Sequence, residues 1–336
     1  SWNFDAENRL PPPKEKLGVQ GHWVPQEDDL DEEVRETLEA VERSGVRFLG
    51  VDGPRQFAAS EKEAQEALDH FIEHRLDLFG PYEDAMDQRD WTMAHSLLSV
   101  PMNLGLLDPI EVARTAERAY QQGKARLSSV EGFIRQIVGW RDYVFHLYWQ
   151  FGAEYESQNH LDADQPLPEW LSDLQPENLS AKCLSDAVAN VRDYGWAHHI
   201  QRLMVLGNHS LQRGYDPKRT NDWFIDAFVD GTPWVMPANV IGMTLYADGG
   251  AMSTKPYAAG GAYINRMSNY CGDCPFEPKK RLGEDACPFT AGYWSFMDKN
   301  QEKFKGNFRM SNPLSSLRRL SDVREVSAQE RARDSF

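Results

Sequence analysis

The run Tyr194-Gly195-Trp196-Ala197-His198-His199-Ile200-Gln201-Arg202 decides how this sequence is interpreted. It opens a predicted helix over residues 196–213, with two adjacent histidines at its start. Taken alone, paired histidines on a helix are more often half-buried surface residues than a reactive centre. Imidazole is also the side chain best suited to proton exchange near neutral pH. The meaning of the run therefore depends on what surrounds it.

Helical patterns continue on both sides of this run. Capping side chains, acidic first turns and apolar residues at helical spacing mark the helix starts. The predicted helices cover 29–43, a segment opened by Ser60, a segment opened by Asp108-Pro109, 129–150, 180–193 and 218–230. The segment 129–150 is the most apolar of these, and we expect it to be central.

Only residues 46–51 indicate a strand. The sequence has no glycine-rich phosphate loop after a strand, which argues against a dinucleotide-binding βαβ fold. The predicted fold class is therefore mostly α. Residues 1–30 are polar and proline-rich and predict a linker or wrapping arm, while residues 31–336 form one helical domain.

Composition narrows the functional class. The 336 residues contain 36 Lys and Arg against 52 Asp and Glu, a net charge of −16. This acidity argues against coating nucleic acid over the whole surface but allows a local basic patch. No apolar run is long enough to span a membrane and no secretory signal opens the chain. Because the sequence starts at Ser1, we expect it to be processed or part of something longer.

The four cysteines indicate a metal centre. Cys271, Cys274 and Cys287 follow a C-x2-C-x12-C-P pattern, and Cys183 stands 88 positions before the first of them. An iron–sulfur cluster, a structural zinc ion and unligated thiols all remain open at this point. One remote cysteine fits a cluster that ties two helical segments together better than two short zinc-binding pairs.

Four segments together resemble the photolyase and cryptochrome superfamily. The histidine run resembles its active-site helix, and His95–Ser99 resembles its flavin-phosphate turn. Residues 133–143, which contain Gly139-Trp140-Arg141-Asp142, resemble the helix beneath the flavin, and 239–243 resembles the loop near the isoalloxazine ring.

The cysteine spacing resembles one branch, the prokaryotic (6-4) photolyases, also called iron–sulfur bacterial cryptochromes. Residues 255–259 and 263–268 are similar to that branch too, and the resemblance runs from Trp2-Asn3-Phe4-Asp5 to about Arg319. It implies a helical FAD-binding domain of photolyase/cryptochrome type with a C-terminal iron–sulfur region. By this resemblance the sequence opens at the connector after the family's N-terminal antenna domain, and we expect a lumazine antenna chromophore only together with that domain.

The resemblance implies FAD and a 4Fe-4S cluster as cofactors. In the family, hydroxyl and backbone N–H groups at the phosphate turn bind the cofactor, and an asparagine amide lies near flavin N5. The implied flavin-binding residues are His95, Ser96, Leu97, Leu98, Ser99, Gln136, Arg141 and Asn239. The implied cluster ligands are Cys183, Cys271, Cys274 and Cys287, with a structural role as the favoured one.

The implied activity is light-driven repair of (6-4) photoproducts in UV-damaged DNA, in which the lesion is flipped out of the stack. His199 is the implied proton donor to the lesion. His198 either shares the proton transfer or orients His199. Animal relatives carry a second histidine where this chain has Leu203. The implied lesion contacts are Tyr257, Tyr263, Leu203 and Met243, and Trp223 is the implied electron-transfer residue.

The alternative is a photoreceptor of cryptochrome type that keeps the flavin and the cluster but signals to a partner. Intact His199, Tyr257 and Tyr263 favour repair. The resemblance further implies a monomer in the cytoplasm of a prokaryote, acting on DNA and not on a membrane. The residue after Trp223 is Phe224, which is not readily oxidised. The sequence therefore does not identify the residues that would carry electrons between Trp223 and the surface.

Overall fold

The computed structural model describes Phe4 and residues 6–336. Ser1, Trp2, Asn3 and Asp5 lie outside the described residues. The predictions that fall on these residues, which are the start of the 1–30 arm and the start of the family resemblance, therefore also lie outside them. No helix in the described part of the chain is long and apolar enough to cross a bilayer.

The fold is mostly helical, as predicted. The first half contains α1 (Asp29–Arg43), α2 (Glu61–His74), α3 (Leu76–Phe79), α4 (Ser99–Asn103), α5 (Pro109–Gln121), α6 (Leu127–Ile134) and α7 (Asp142–Phe151). The second half contains α8 (Glu169–Ser172), α9 (Lys182–Tyr194), α10 (Asn208–Arg213), α11 (Pro217–Ala227), α12 (Gly261–Met267), α13 (Pro288–Asn300), α14 (Ser311–Leu317) and α15 (Val323–Ala332).

Three π-helical segments interrupt or extend these helices. They are π1 (Arg135–Arg141), π2 (Gln201–Gly207) and π3 (Ala238–Thr244). Short 3-10 turns cover Ala153–Ser157, Pro176–Asn178, Tyr270–Gly272 and Phe308–Met310.

Side-chain caps fix the predicted helix starts. The hydroxyl oxygen of Ser60 accepts a hydrogen bond from the backbone N–H of Glu63 at 3.3 Å, at the start of α2. The carboxylate of Asp108 accepts one from the N–H of Ile110 at 2.8 Å, and Pro109 occupies the first position of α5. These contacts satisfy N–H groups that have no partner within the helix.

The described residues pack around two large apolar cores. The smaller core lies among α2, α3, α5 and α6 and contains Phe71, Leu98 and Phe133. The larger core contains Met86 and residues between Tyr155 and Phe336, and it is built around α9, π2, π3 and α13. The 83–99 loop joins the two halves: Met86 packs in the larger core and Leu98 in the smaller one, and the hydroxyl of Ser99 donates to Asp230 at 2.7 Å.

Two predictions about the first half are wrong. Residues 46–51 form no strand, because this segment lacks a neighbouring strand and makes one backbone hydrogen bond, from Val51 to the carbonyl of Arg192. The segment 129–150 is helical but not central. Its second half is at the surface, with Trp149 69% exposed and Tyr143 42% exposed. Apolar residues lie on all sides of this helix, so composition alone does not show which side has a neighbour.

His209 lies within the larger core in an environment without hydrogen-bond partners. It is 1% exposed, and neither ring nitrogen has a partner. The rings of Trp170, Tyr215, Phe289 and Phe336 surround it, with Phe336 at 4.7 Å between ring centroids. Burial, with the nearby arginine charges, lowers the pKa of His209 well below its ordinary value. The ring is therefore neutral in the folded protein.

We predict that His209→Phe raises the free energy of unfolding by about 1 kcal/mol, because it removes two unpaired buried polar atoms. The pKa of His209 is lower in the folded than in the unfolded state. The free energy lost by keeping this ring unprotonated in the folded protein is therefore zero above the pKa of the unfolded state. This loss grows as the pH falls below that value. Urea unfolding at pH 7.5 and 5.5 should show a smaller loss on acidification in the variant than in the wild type. The surface variant His146→Gln should leave both values unchanged within about 0.5 kcal/mol; equal acid sensitivity in all three proteins would contradict the prediction.

Candidate active site

The histidine pair lies directly after α9, where the chain reverses. Gly195 ends the helix with φ +58°, and a Cβ there would lie 2.6 Å from Cγ1 of Val229. Glycine is therefore required both for the left-handed backbone and for the close contact. The turn directs the chain back across the junction of the two cores, and His198 and His199 lie just before π2.

His198 is buried and held in one tautomer. Its Nδ1 accepts a hydrogen bond from the backbone N–H of Ile200 at 3.2 Å, so the ring hydrogen is on Nε2. Nε2 donates to the carbonyl oxygen of Glu83 at 2.9 Å. Burial, with His95 and His199 close by, lowers the pKa of His198 well below its ordinary value. His198 is thus a neutral, fixed ring.

His199 has the opposite environment. Its side chain is 50% exposed, and Nε2 lies 3.3 Å from Oδ1 of Asp84. Burial acts to raise the pKa of Asp84, but the hydrogen bond from His199 and the charges of Arg9 and Arg135 hold that pKa below its ordinary value. An ionised carboxylate therefore orients a ring that solvent and a bound molecule can reach. Of the two adjacent histidines, His199 is the one able to exchange a proton outside the protein.

His95 lies against both rings. Its ring centroid is 3.9 Å from that of His198 and 6.0 Å from that of His199. His95 is buried and its Nε2 has no hydrogen-bond partner. The predicted flavin turn and the predicted catalytic helix thus meet in one place.

The other residues of the 95–99 turn contact two different parts of the protein. The hydroxyl oxygen of Ser96 accepts from the N–H of Leu98 at 3.3 Å, and Leu98 lies wholly in the smaller core. Leu97 is buried and adopts φ +56°. Ser99 donates its hydroxyl hydrogen to Asp230 at 2.7 Å. Ser96 thus stabilises the turn before α4, whereas Ser99 contacts the opposite half of the protein.

Asp230 is the centre of a charged cluster that sequence reasoning missed. Its two oxygens accept from Arg202 at 2.8 and 3.1 Å. Arg202 also donates to the carbonyl oxygen of Ala197 at 2.7 Å, and its guanidinium lies 4.3 Å from the ring centroid of Phe228. Arg202 belongs to the histidine run that the sequence analysis singled out. Nothing in the sequence identifies Asp230 as its ion-pair partner.

The four cysteines converge although Cys183 is remote in sequence. They line one small cavity together with apolar side chains of Ile264, Phe276 and Phe289. A Cβ on Gly261 would lie 2.6 Å from Sγ of Cys287, so only glycine leaves this sulfur its position. Burial, with the neighbouring thiols, raises the pKa of Cys183 well above its ordinary value. Deprotonation of Cys183 is therefore unfavourable unless a cation lies beside its sulfur.

A hydrogen-bond network joins this cavity to the histidines. The hydroxyl of Tyr270, which precedes Cys271, donates to Asp186 at 2.6 Å. It also accepts from the side-chain amide of Gln201 at 2.8 Å. The amide oxygen of Gln201 accepts from the backbone N–H of His198 at 3.0 Å. The position of His198 is therefore set partly from the cysteine cavity.

Comparison with known proteins places this site in a family. The chain is 45% identical over 326 residues to a (6-4) photolyase of Agrobacterium fabrum, covering 96% of this chain and 62% of that protein. This similarity supports membership of the photolyase/cryptochrome superfamily. It spans about three fifths of the length of that relative. No family model matches the chain.

Two further comparisons give a shared fold and a partial sequence match. A bacterial class III photolyase from Agrobacterium tumefaciens shares the fold, with a TM-score of 0.51, 17% identity, and coverage of 92% of this chain and 58% of the other. An uncharacterized protein of Acanthamoeba polyphaga mimivirus is 36% identical over 103 residues, which are 31% of this chain and 76% of that protein.

Membership in the photolyase/cryptochrome superfamily implies FAD as the cofactor, and buried polar groups at the turn fit an anionic cofactor. Arg75, which sequence reasoning missed, is 2% exposed beneath the 92–97 loop. It donates to backbone carbonyl oxygens, including those of His95 at 3.1 Å and Thr92 at 3.0 Å. Burial lowers the pKa of Arg75 to about 10, so it remains charged at neutral pH. This buried cation and the unpaired Nε2 of His95 favour negative charge at the turn.

The π-helical segments coincide with the segments that resemble the flavin site of the superfamily. π1 lies within 133–143, π2 follows the histidine pair, and π3 covers 239–243. Such segments are rare and often lie at functional sites, where widened backbone turns make room for a ligand. π2 packs against π3, and so does α7, the helix that continues π1.

Three predicted flavin residues make the following contacts within the protein. Gln136 donates to the buried carboxyl group of Glu83. Arg141 donates to the carbonyl oxygen of Met102 at 3.3 Å, and its guanidinium lies 4.8 Å from the ring centroid of Trp234. The amide nitrogen of Asn239 donates to the carbonyl oxygen of Val235 at 2.8 Å, which leaves its amide oxygen for another partner.

The predicted lesion residues are all half-buried: Leu203, Met243, Tyr257 and Tyr263. Leu203 lies one helical turn after His199. Burial, together with the charge of Asp84, raises the pKa of Tyr263 to about 12, so this phenol shares the surroundings of the carboxylate that orients His199.

Trp223 is 5% exposed, and its ring centroid is 5.7 Å from that of Phe228, the ring beneath Arg202. Its indole nitrogen has no partner. The predicted electron-transfer residue is thus connected through one aromatic ring to the Arg202–Asp230 pair.

We predict that Asp230→Asn lowers the free energy of unfolding by about 3 kcal/mol, because it leaves the part-buried Arg202 without its counter-charge. Denaturant unfolding monitored by circular dichroism measures this. The matched control is Glu111→Gln, which breaks an exposed pair with Arg114 and should change stability by less than about 0.5 kcal/mol. Equal effects of the two substitutions would show that the Arg202–Asp230 pair does not hold the junction.

Proposed function

We propose that this protein repairs (6-4) photoproducts in UV-damaged DNA with light as the energy source. The observation that carries the proposal is the different environment of the two histidines, in a chain that is 45% identical to a (6-4) photolyase. His199 is exposed and oriented by Asp84, whereas His198 is buried and neutral. An exposed imidazole held by a carboxylate is suited to give a proton to a bound lesion.

The chain's own residues would act in the following way. Asp84 holds Nε2 of His199, so that the ring meets a flipped-out base in a fixed orientation. Leu203, one turn later, offers an apolar contact where animal relatives have a second histidine, so the proton has a single source. Tyr263 lies within the electrostatic range of Asp84, and we propose that Tyr263, Tyr257 and Met243 contact the flipped bases by stacking or hydrogen bonding.

We assign FAD to the junction of the two cores. When bound in its reduced form, it supplies an electron to the lesion after absorption of blue light. His95, Ser96 and the backbone of Leu97 would face its phosphates above Arg75. Arg202, held by Asp230, would present a fixed positive charge to the ring system. We keep Gln136, Arg141 and Asn239 as proposed contacts on π1 and π3, and Trp223 as the inner electron donor to the flavin.

We propose a 4Fe-4S cluster for Cys183, Cys271, Cys274 and Cys287. The four thiols line one cavity, and a solitary remote cysteine with three clustered ones fits a cluster better than the two short pairs usual for a structural zinc ion. The apolar lining suits a cluster shielded from water. Because the ligands join α9, the 271–274 turn and the start of α13, the proposed role is structural.

The division into a 1–30 arm and a 31–336 catalytic domain stays a proposal, as do the monomeric state and a cytoplasmic location in a prokaryote. They rest on the family resemblance, and so does the expectation that a lumazine chromophore accompanies an antenna domain.

We predict that His199→Gln lowers repair of (6-4) lesions per absorbed photon by about 10²–10⁴-fold, the usual range for loss of a general acid. Flavin content and affinity for damaged DNA should stay unchanged, because the proton is needed only along the reaction coordinate. The measurement is lesion repair under blue light with matched reduced flavin.

The control for this experiment is Asp84→Asn, which keeps His199 but removes the charge that orients it, and it should give a smaller loss. Near-normal repair by the His199 variant would refute its role as donor. If the wild-type protein binds FAD, responds to light and repairs nothing, the photoreceptor of cryptochrome type replaces the repair enzyme.

We predict that changing any one of the four cysteines to Ser removes iron and inorganic sulfide and lowers the yield of folded protein, since cluster binding is coupled to folding. Metal and sulfide analysis measures this. Phe276→Leu lines the same cavity without a ligand atom and should keep the cluster. One zinc per chain with no sulfide in the wild-type protein would contradict the assignment.

A further inference from the structure

Phe308 is the most exposed large apolar side chain among the described residues. It is 87% exposed, whereas Phe304 and Met310 on either side of it are 1% and 3% exposed and pack in the larger core. A single exposed apolar side chain has no meaning by itself. Its backbone and its neighbours therefore decide whether it has a role.

The turn that carries Phe308 is held in place by the side chain of Asn307. Its amide oxygen accepts a hydrogen bond from the backbone N–H of Arg309 at 3.0 Å. Its amide nitrogen donates to the carbonyl oxygen of Thr254 at 3.0 Å and to the hydroxyl oxygen of Tyr246 at 3.3 Å. Phe308 therefore projects from a fixed turn, and little conformational freedom is lost when its ring meets a partner.

The contact with Thr254 joins this turn to the loop that contains Tyr257. Tyr257, which follows Thr254 by three residues, is one of the side chains that we propose to contact the flipped-out bases. Lys255 lies between these two residues; it is exposed and forms no ion pair with a described residue. The exposed ring of Phe308 thus belongs to a surface that continues into the proposed lesion contacts.

The charge of this region is opposite to that of the chain as a whole. The chain has a net charge of −16, but residues 299–319 contain six Lys and Arg and one acidic residue. Two of the six, Lys303 and Lys305, pair with carboxylates. Arg309, directly after Phe308, is exposed and forms no ion pair with a described residue. Unpaired cations beside an exposed aromatic ring suit a nucleic-acid strand, because cations bind phosphates and the ring stacks on bases.

We propose that Phe308, Lys255 and Arg309 form a docking surface for the DNA around the lesion. Flipping a lesion out of the stack leaves the bases opposite it unpaired. The ring of Phe308 stacks on one of these unpaired bases, and the two cations bind neighbouring phosphates. This inference rests on the proposed function, since the lesion is the substrate of that reaction. Docking requires no light, so it is measured separately from repair.

The test of the stacking contact is the binding of a fluorescently labelled duplex with one (6-4) lesion, measured by anisotropy in the dark with flavin and cluster in place. Phe308→Ala should weaken this binding about 5–100-fold, the range for loss of one stacked base. It should affect the undamaged duplex far less, because that duplex offers no unpaired base. Phe308→Trp should keep the affinity. The matched control is Tyr120→Ala, which removes an exposed ring of α5 and should leave the affinity unchanged.

The test of the cations is the salt dependence of the same binding. The double variant Lys255→Gln, Arg309→Gln should reduce the slope of log affinity against log salt concentration by about 1.8, since each lost phosphate contact contributes about 0.9. The control is Lys62→Gln, Arg114→Gln, which changes the net charge equally at exposed positions of α2 and α5. Its slope should equal that of the wild type.

Three outcomes would overturn the docking surface: wild-type affinity of Phe308→Ala for the lesion duplex, an equal loss on damaged and undamaged DNA, or an unchanged salt slope in the double variant. All these substitutions are at exposed positions, and circular dichroism checks that each variant is folded. If the wild-type protein binds the lesion through Phe308 but repairs nothing under light, the proposed function fails and the surface stands. Light-driven repair by the wild type, together with wild-type affinity of Phe308→Ala, would refute the surface alone.

Discussion

The fold depends on a charged contact across the junction of its two cores. Asp230 binds Arg202 through both oxygens and accepts a further hydrogen bond from Ser99. One carboxylate thus ties the end of the 95–99 turn, from the smaller half, to π2 in the larger half. Both side chains are largely shielded from water, which strengthens the attraction but makes the loss of either partner costly. The site residues converge because this contact holds both halves in one register.

Two neighbouring acidic residues separate the roles of two neighbouring histidines. Glu83 uses its backbone carbonyl to hold the buried His198, and Asp84 uses its carboxylate to hold the exposed His199. Adjacent residues of one type thereby acquire different proton chemistry from their environments alone. The side chain of Glu83 is buried, and burial raises the pKa of this carboxyl group. The loop before the turn thus carries two acids with opposite tendencies to ionise.

The sequence predicts local features of this protein well. Capping residues such as Ser60 and Asp108 mark helix starts because their contacts lie within four residues. The cysteine pattern predicts a shared centre, since few other roles explain such spacing. Partners distant in sequence escape this reasoning. Asp84, Arg75 and Asp230 have no distinctive neighbours along the chain, and their importance arises only from tertiary contacts. The exposed half of 129–150 and the unpaired segment 46–51 were mispredicted for the same reason, because a neighbouring element, or its absence, is decided by the whole fold.

The network from Tyr270 through Gln201 to His198 has a consequence for combined substitutions. Tyr270, which precedes Cys271, binds the side-chain amide of Gln201, and this amide binds the backbone of His198. The cysteine cavity and the histidine pair are therefore held by the same hydrogen bonds. A substitution that shifts the cysteine cavity would also shift the histidine pair through these hydrogen bonds. The size of the second shift depends on the side chain at position 201. Substitutions at the cysteine cavity and at the histidines are therefore expected to be non-additive, because residues in one hydrogen-bond network depend on each other.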